Sequence, residues 1–204
     1  MEQSRQPYRS KDDRRAMIAE AGRALIVENG YAALRTRDVA ARVGVNISTL
    51  HFHVATKAAL VALIAQTTRA AFLALLPPAP DPDRPARAQL RAEAQAYHAS
   101  LRDCPDLAAC FAELVQVART DPAVAAELEG FTQGWCQRYA DILAIGRAQG
   151  AFRADLDPYP AALALTGALG AFGARGQQGL AMFWPVYDEV ERGFLAMHVT
   201  EDKA

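Results

Sequence analysis

The residues of this chain best suited to act on a partner lie in the segment 30–60, GYAALRTRDVAARVGVNISTLHFHVATKAAL. Two short apolar-periodic stretches flank Gly44, and helices of that length joined by a tight glycine turn form a helix-turn-helix. Val39, Val43, Leu50 and Val54 are spaced to bury the inner faces, and Ala40 is small where the second helix crosses above it. Ser48, Thr49, His51 and Phe52 then face outward on the second helix, with Asn46 and Ile47 at its start. Short hydrogen-bonding groups and flat rings at the start of a helix suit the reading of base edges in a major groove.

Other chemistries find less support. His51 and His53 are two positions apart, about 200° around a helix, so they do not share one metal ion. His98 and His198 stand alone in the sequence. Cys104, Cys110 and Cys136 are odd in number and match no Cys-x-x-Cys spacing, so all three are expected to be small buried hydrophobes. No Gly-x-Ser-x-Gly, phosphate-binding glycine loop or His-Glu-x-x-His appears, and no catalytic residue, cofactor or metal is expected. A second group of side chains lies further along: Tyr97, His98, Phe111, Trp135, Tyr139 and Phe172. Apolar walls with a few polar groups would suit a hydrophobic small molecule. The same rings could equally fill a core.

The elements that must position these residues read as helices throughout. Ala accounts for 44 of the 204 residues, which favours an all-α chain. Helical spacing covers 12–29, with Gly30 as stop, and a short helix runs from Thr36, read as its N-cap, to Val43. Gly44-Val45-Asn46 reads as the turn, 47–54 as the second short helix, and Thr56 as the cap of a long helix from Lys57 to about Leu76. Residues 77–85 hold five of the eleven prolines and form a loop. Further helices fit 86–102, 106–119, 122–149, 158–174 and 181–199, with Asp121-Pro122 and Asp157-Pro158 as start signals and a break over 176–179. The expectation is an all-α fold of about nine helices without a sheet.

The formal net charge of −1 excludes a uniformly basic coat for nucleic acid, and 51% apolar residues exclude a disordered acidic solvator. The total hides a division. Residues 1–57 carry ten Lys/Arg and six Asp/Glu, a balance of +4, and residues 58–204 carry the compensating −5. No secretory signal or bilayer-length apolar run is visible, so the expected setting is a cytoplasm with no membrane partner.

Residues 12–60 resemble the N-terminal DNA-binding domain of the TetR family of bacterial transcriptional regulators. The likeness rests on Asn29-Gly30-Tyr31, Arg37-Asp38-Val39-Ala40, Gly44-Val45, Thr49-Leu50, His53-Val54, and Lys57 with Leu60, without a gap. It implies a DNA-binding domain over 1–57 and a ligand-binding and dimerisation domain over 58–204. By the same resemblance Thr36 and Arg37 touch phosphate and a base edge, and Ile47, Ser48 and Thr49 begin the base-reading helix. His51 stands where the family has Tyr, His53 matches a His that donates to phosphate, and Lys57 matches a phosphate-binding Lys. The chain departs from the pattern at Arg35 for Ser or Thr, Val54 for Phe, and Ala58-Ala59 for an acidic pair.

The uncharged stretch 158–174 and the late helix 181–199 fit either a core or a subunit interface, and the resemblance favours a homodimer through them. The implied partners are a palindromic double-stranded DNA operator, a second copy of the chain and a hydrophobic small-molecule effector that releases a repressor. The competing readings are an all-α enzyme or small-molecule-binding protein with a non-functional helix-turn-helix, and an adaptor with a degenerate DNA end.

Overall fold

The structure, a computed structural model, describes residues 10–196. Its helices are α1 Lys11–Asn29, α2 Thr36–Val43, α3 Ile47–His53, α4 Lys57–Leu75, α5 Ala86–Asp103, α6 Pro105–Ala118, α7 Pro122–Ala148, α8 Pro158–Gly170, α9 Gly176–Gly179 and α10 Phe183–Arg192. Nine of these have seven residues or more, as the sequence predicts. Two 3-10 turns, Tyr31–Ala33 and Leu180–Met182, complete the order. Among the described residues there is no sheet, only an isolated antiparallel bridge between Phe152 and Leu195.

Two compact units make up the chain. The first runs to Ala70 and adds Cys110–Leu128; the second holds Ala71–Ala109 and the chain from Glu129 onward. This is not a partition at one point of the sequence, because α4, α6 and α7 each contribute residues to both units.

In the first unit, α1 starts at a reciprocal cap. Ser10 Oγ accepts from the Asp13 N–H at 3.0 Å, and the Ser10 N–H donates to Asp13 Oδ2 at 3.2 Å. The helix ends at Gly30, whose φ of +79° few other residues adopt. The core joins Ile18 and Ile26 of α1, Val39 of α2, Leu50 of α3 and Leu60 and Ile64 of α4 to Leu114, Val124 and Leu128. By length and composition α4 could cross a membrane. Its Leu60, Val61, Leu63, Ile64 and Ala65 are instead the central stripe of this core.

In the second unit, Tyr139, Phe152, Phe172, Phe183 and Tyr187 are the largest fully buried side chains. The proline segment is tied down by two glutamines. Gln89 donates to the carbonyls of Asp81 and Arg84 at 2.8 and 3.0 Å. Gln149 donates to those of Pro82 and Arg84, both at 2.9 Å. Arg87–Glu191 at 3.2 Å and Arg91–Asp188 at 2.7 Å join α5 to α10.

Several sequence expectations need correction. The helix expected over 158–174 stops at Gly170, and its continuation is a run of turns such as Gly173 N–H to Gly170 O at 3.1 Å. Gly170 and Gly173 are poor helix formers that leave the last turns unsupported. The expected break over 176–179 is itself a turn of helix that leads through Leu180–Met182 into α10. The helix expected over 181–199 ends at Arg192, because the following backbone bonds elsewhere, with Arg153 N–H donating to Phe194 O at 2.9 Å. Residues 197–199, and His198 with them, lie outside the described residues. Cys110 and Cys136 are buried as expected, but Cys104 is exposed at the C-terminal cap of α5, where the chain turns into α6.

Gly22 marks the closest approach of α1 to α4. A Cβ there would meet Ile64 Cδ1 at 2.5 Å, and Ile64 is fully buried. Gly22→Ala is therefore expected to lower stability, although Ala in place of Gly favours a helix by about 1 kcal/mol. Ile64→Val removes the opposing methyl. In that background Gly22→Ala should cost at least about 1 kcal/mol less, measured by denaturant unfolding. Equal effects in both backgrounds would show that the helices do not meet there.

Candidate nucleic-acid interface

The interface begins with how α2 and α3 are held. Arg35, not Thr36, is the N-cap of α2; it is extended at φ −129° and its side chain makes no cap bond. Thr36 is already helical, which corrects its expected capping role. At the other end Gly44 takes the left-handed conformation at φ +75°, ψ 35°. Its N–H donates to Ala41 O at 3.1 Å, and the Val45 N–H donates to Ala40 O at 3.0 Å. Asn46 then caps α3, its Oδ1 accepting from the Thr49 N–H at 2.7 Å.

Leu50, fully buried, fixes the inner face of α3. Ile47, Ser48, His51 and Phe52 are exposed, and Thr49 is half-buried. Phe52, at 77%, is the most exposed large hydrophobic side chain among the described residues. His51 Nδ1 lies 3.1 Å from Ala55 O. A carbonyl only accepts, so Nδ1 carries the proton and Nε2 is the remaining acceptor of the neutral ring. Basic groups flank this face. Arg37 is exposed and pairs loosely with Asp38 at 3.5 Å. The exposed Lys57 places Nζ 5.1 Å from the centre of the Tyr31 ring. Arg42 is held by Glu28, at 2.7 and 2.8 Å, a pairing that lowers the carboxyl pKa of Glu28.

His53 is half-buried, and its carbonyl accepts from Arg15 Nη1 at 2.9 Å. Burial, with the charges of Arg14, Lys11 and Arg15, pushes its imidazole pKa below 6.5.

The second predicted group is only partly assembled. Tyr97 and His98 of α5, Trp135 and Tyr139 of α7 and Phe172 all belong to the second unit. Tyr97 packs against Trp135 with ring centres 5.0 Å apart and planes inclined at 50°, and Trp135 meets Tyr139 at 5.6 Å. Phe172 and His98 both meet Phe183, at 5.2 and 4.9 Å. Phe111 belongs to the first unit, where it packs on the core. The sequence reading omitted Phe183, Trp184 and Tyr187, although the run FWPVY already showed three rings in five residues. It also omitted Glu93, which is 2% exposed and ion-paired with Arg138. Glu93 Oε2 and the Tyr139 hydroxyl are buried with no hydrogen-bond partner. Burial raises the Glu93 pKa against the opposing pull of Arg138, raises Tyr139 strongly, and pushes Tyr97 up to about 12.

The position of His53 has a measurable consequence for pH dependence. Its folded pKa lies below the unfolded value, so the unfolded chain binds the proton more readily. The stability it contributes is present above pH 6.5 and is lost as pH falls below it. An NMR titration should give His53 a midpoint below 6.5. A midpoint at or above that value would contradict this placement.

Residues 18–64 match the family model described as bacterial regulatory proteins, tetR family. No curated protein sequence matches the chain. Among solved structures, a TetR transcription regulator from Haloarcula marismortui aligns with a TM-score of 0.80 at 18% identity, covering 91% of this chain and 100% of that one. A putative transcriptional regulator from Saccharomonospora viridis, in complex with choline, aligns at 0.75 and 21%, covering 91% and 100%. The ketosteroid transcriptional regulator KstR2 of Mycobacterium tuberculosis aligns at 0.69 and 18%, covering 90% and 96%. At these identities the likeness is one of fold, while the front segment matches in sequence. Residues 18–64 are thus a tetR-family N-terminal domain, and they head a chain with the fold of tetR-family transcriptional regulators.

Proposed function

We propose that the chain is a homodimeric, sequence-specific DNA-binding regulator of the bacterial cytoplasm. In this reading it is a repressor released from a palindromic operator by a hydrophobic small molecule. The observation that carries the reading is the exposed face of α3 flanked by exposed Arg37 and Lys57, within the segment that matches the tetR family. Phosphate contacts from Thr36, Arg37, His53 and Lys57 would set the register of the protein, and Ile47, Ser48, Thr49 and His51 would read bases. Asn46 contributes chiefly through the cap that orients α3.

The division of labour is a DNA-binding part over 1–57 and a ligand-binding and dimerisation part over 58–204. Self-association is supported by α8, which carries no charge and exposes Tyr159, Leu163, Gly167 and Gly170. Small residues there would let two helices approach closely, and Leu163, 59% exposed, is a large apolar group open to solvent. Effector binding is supported by the ring cluster with its unpartnered Glu93 Oε2 and Tyr139 hydroxyl. It is also supported by the choline complex and the ketosteroid regulator among structures of the same fold. A release route follows from Arg138, which holds Glu93 and donates to the carbonyls of Pro77 and Pro78 at 2.9 and 3.0 Å. A ligand competing for Glu93 would free the loop directly after α4, and α4 begins at Lys57.

Selection of bound sequences from random duplex DNA tests the reading. We expect one palindromic site with half-sites about one helical turn apart, and an affinity that falls steeply with salt. Failure to enrich any sequence would overturn the reading. Leu163→Glu should convert a dimer to a monomer in sedimentation and weaken operator binding by about 100-fold or more. A wild-type protein that sediments as a monomer at micromolar concentration would remove the dimer.

A further inference from the structure

The outward face of α3 is unusual in what it lacks. From Ile47 to His53 the sequence ISTLHFH contains no Arg, Lys, Asn, Gln, Asp or Glu. The side chains that make paired hydrogen bonds to guanine, adenine or cytosine are therefore absent from the helix. The nearest amide, Asn46, lies outside the helix and has its Oδ1 already accepting from the Thr49 N–H, which holds its side chain to the cap. His51 has Nδ1 committed to Ala55 O, which leaves one ring nitrogen. What α3 exposes in quantity is apolar: Phe52 at 77% and Ile47 at 40%, on either side of Ser48 and His51.

The Phe52 ring has one aromatic neighbour. It stands edge-on to the His53 ring, 5.3 Å between centres and 88° between planes. His53 is itself anchored through its carbonyl by Arg15. The chain thus presents a large ring to solvent on the helix that the DNA-binding reading assigns to base reading, while exposed Arg37 and Lys57 lie at the starts of α2 and α4. In the major groove of ordinary DNA the apolar feature of a base edge is the C5 methyl of thymine.

We propose that Phe52 and Ile47 read thymine C5 methyl groups, so that specificity in each operator half-site comes mainly from apolar contacts. This rests on the DNA-binding reading above, and adds Phe52 to its base-reading residues. The two side chains are five residues apart, about 7.5 Å along the helix axis. They are also about 140° apart around that axis, so the two side chains should meet different thymines.

The test uses the full-length protein and the site enriched from random DNA. Each thymine is replaced singly by deoxyuridine, which removes the methyl and leaves pairing intact. Wild type should lose about 3- to 10-fold in affinity at one or two positions per half-site. In Phe52→Ala the loss at one of those positions should vanish, and in Ile47→Ala the loss at the other. Phe52→Leu, which keeps an apolar contact, should retain part of the sensitivity. Phe52 is so exposed that these variants should melt as wild type does. Uracil substitution without effect, or with equal effect in wild type and Phe52→Ala, would overturn the proposal while leaving the regulator reading intact. Absence of any enriched site would overturn the regulator reading, and this proposal with it.

Discussion

The left-handed glycine at position 44 is the constraint on which the front of the molecule depends. A seven-residue helix is too short to persist by itself, so α3 exists because its surroundings hold it. Four contacts do so: the turn at Gly44 with its two backbone bonds, the Asn46 cap, Leu50 in the core, and Arg15 on the His53 carbonyl. A side chain with a Cβ at Gly44 would cost about 1–2 kcal/mol for the left-handed conformation alone. Relaxing that strain would rotate α3 and change which residues face outward. The outward face of α3 is therefore a property of the turn as much as of its own side chains.

The front part carries a net positive charge, but its charges have different tasks. Arg42 is bound by Glu28 across α1 and α2, and Arg15 holds the end of α3 through the His53 carbonyl. Those cations maintain geometry. Arg37 keeps an exposed partner at 3.5 Å, a pairing worth little in water, and so can exchange Asp38 for a phosphate at small cost. Lys57 is held near Tyr31 by a contact that does not occupy its donors. Charge thus lies beside the uncharged face of α3. In the proposed DNA-binding reading this would separate positioning from reading, as protein–DNA interfaces generally do.

Much of this was legible in the sequence, for a local reason. Gly44, Thr56 and the Asp121-Pro122 pair fix backbone geometry through contacts within a few residues, so their consequences can be read along the chain. The end of α8, the start of α10 and the cap of α2 depend on more distant or weaker terms. Glycines at 170 and 173 oppose a helix that the apolar pattern favours, and the fold decides between them. Arg35 is extended where a Ser or Thr would have announced the cap. The ring cluster shows the limit most clearly. Periodicity identified Trp135 with Tyr139, one turn apart, but could not place Phe111 with the first core or bring Phe183 against Phe172 and His98.

Glu93 shows why chemistry is harder to read than shape. On sequence it is one charge among several on an amphipathic helix; in the structure it is buried, raised in pKa by that burial, and held by Arg138 alone. A half-satisfied polar cluster is a poor way to stabilise a core, because each unpaired atom keeps its desolvation cost. Apolar side chains of similar size at positions 93, 138 and 139 would fill the same space without that cost. The arrangement makes more physical sense when the unpaired oxygens have a partner for part of the protein's working life. Arg138 then has competing demands, from Glu93 and from the carbonyls of Pro77 and Pro78. Whatever draws Glu93 away changes the balance at the loop that follows α4. In the proposed function, a buried carboxylate that costs stability would be the means by which a ligand in the ring cluster acts on that loop.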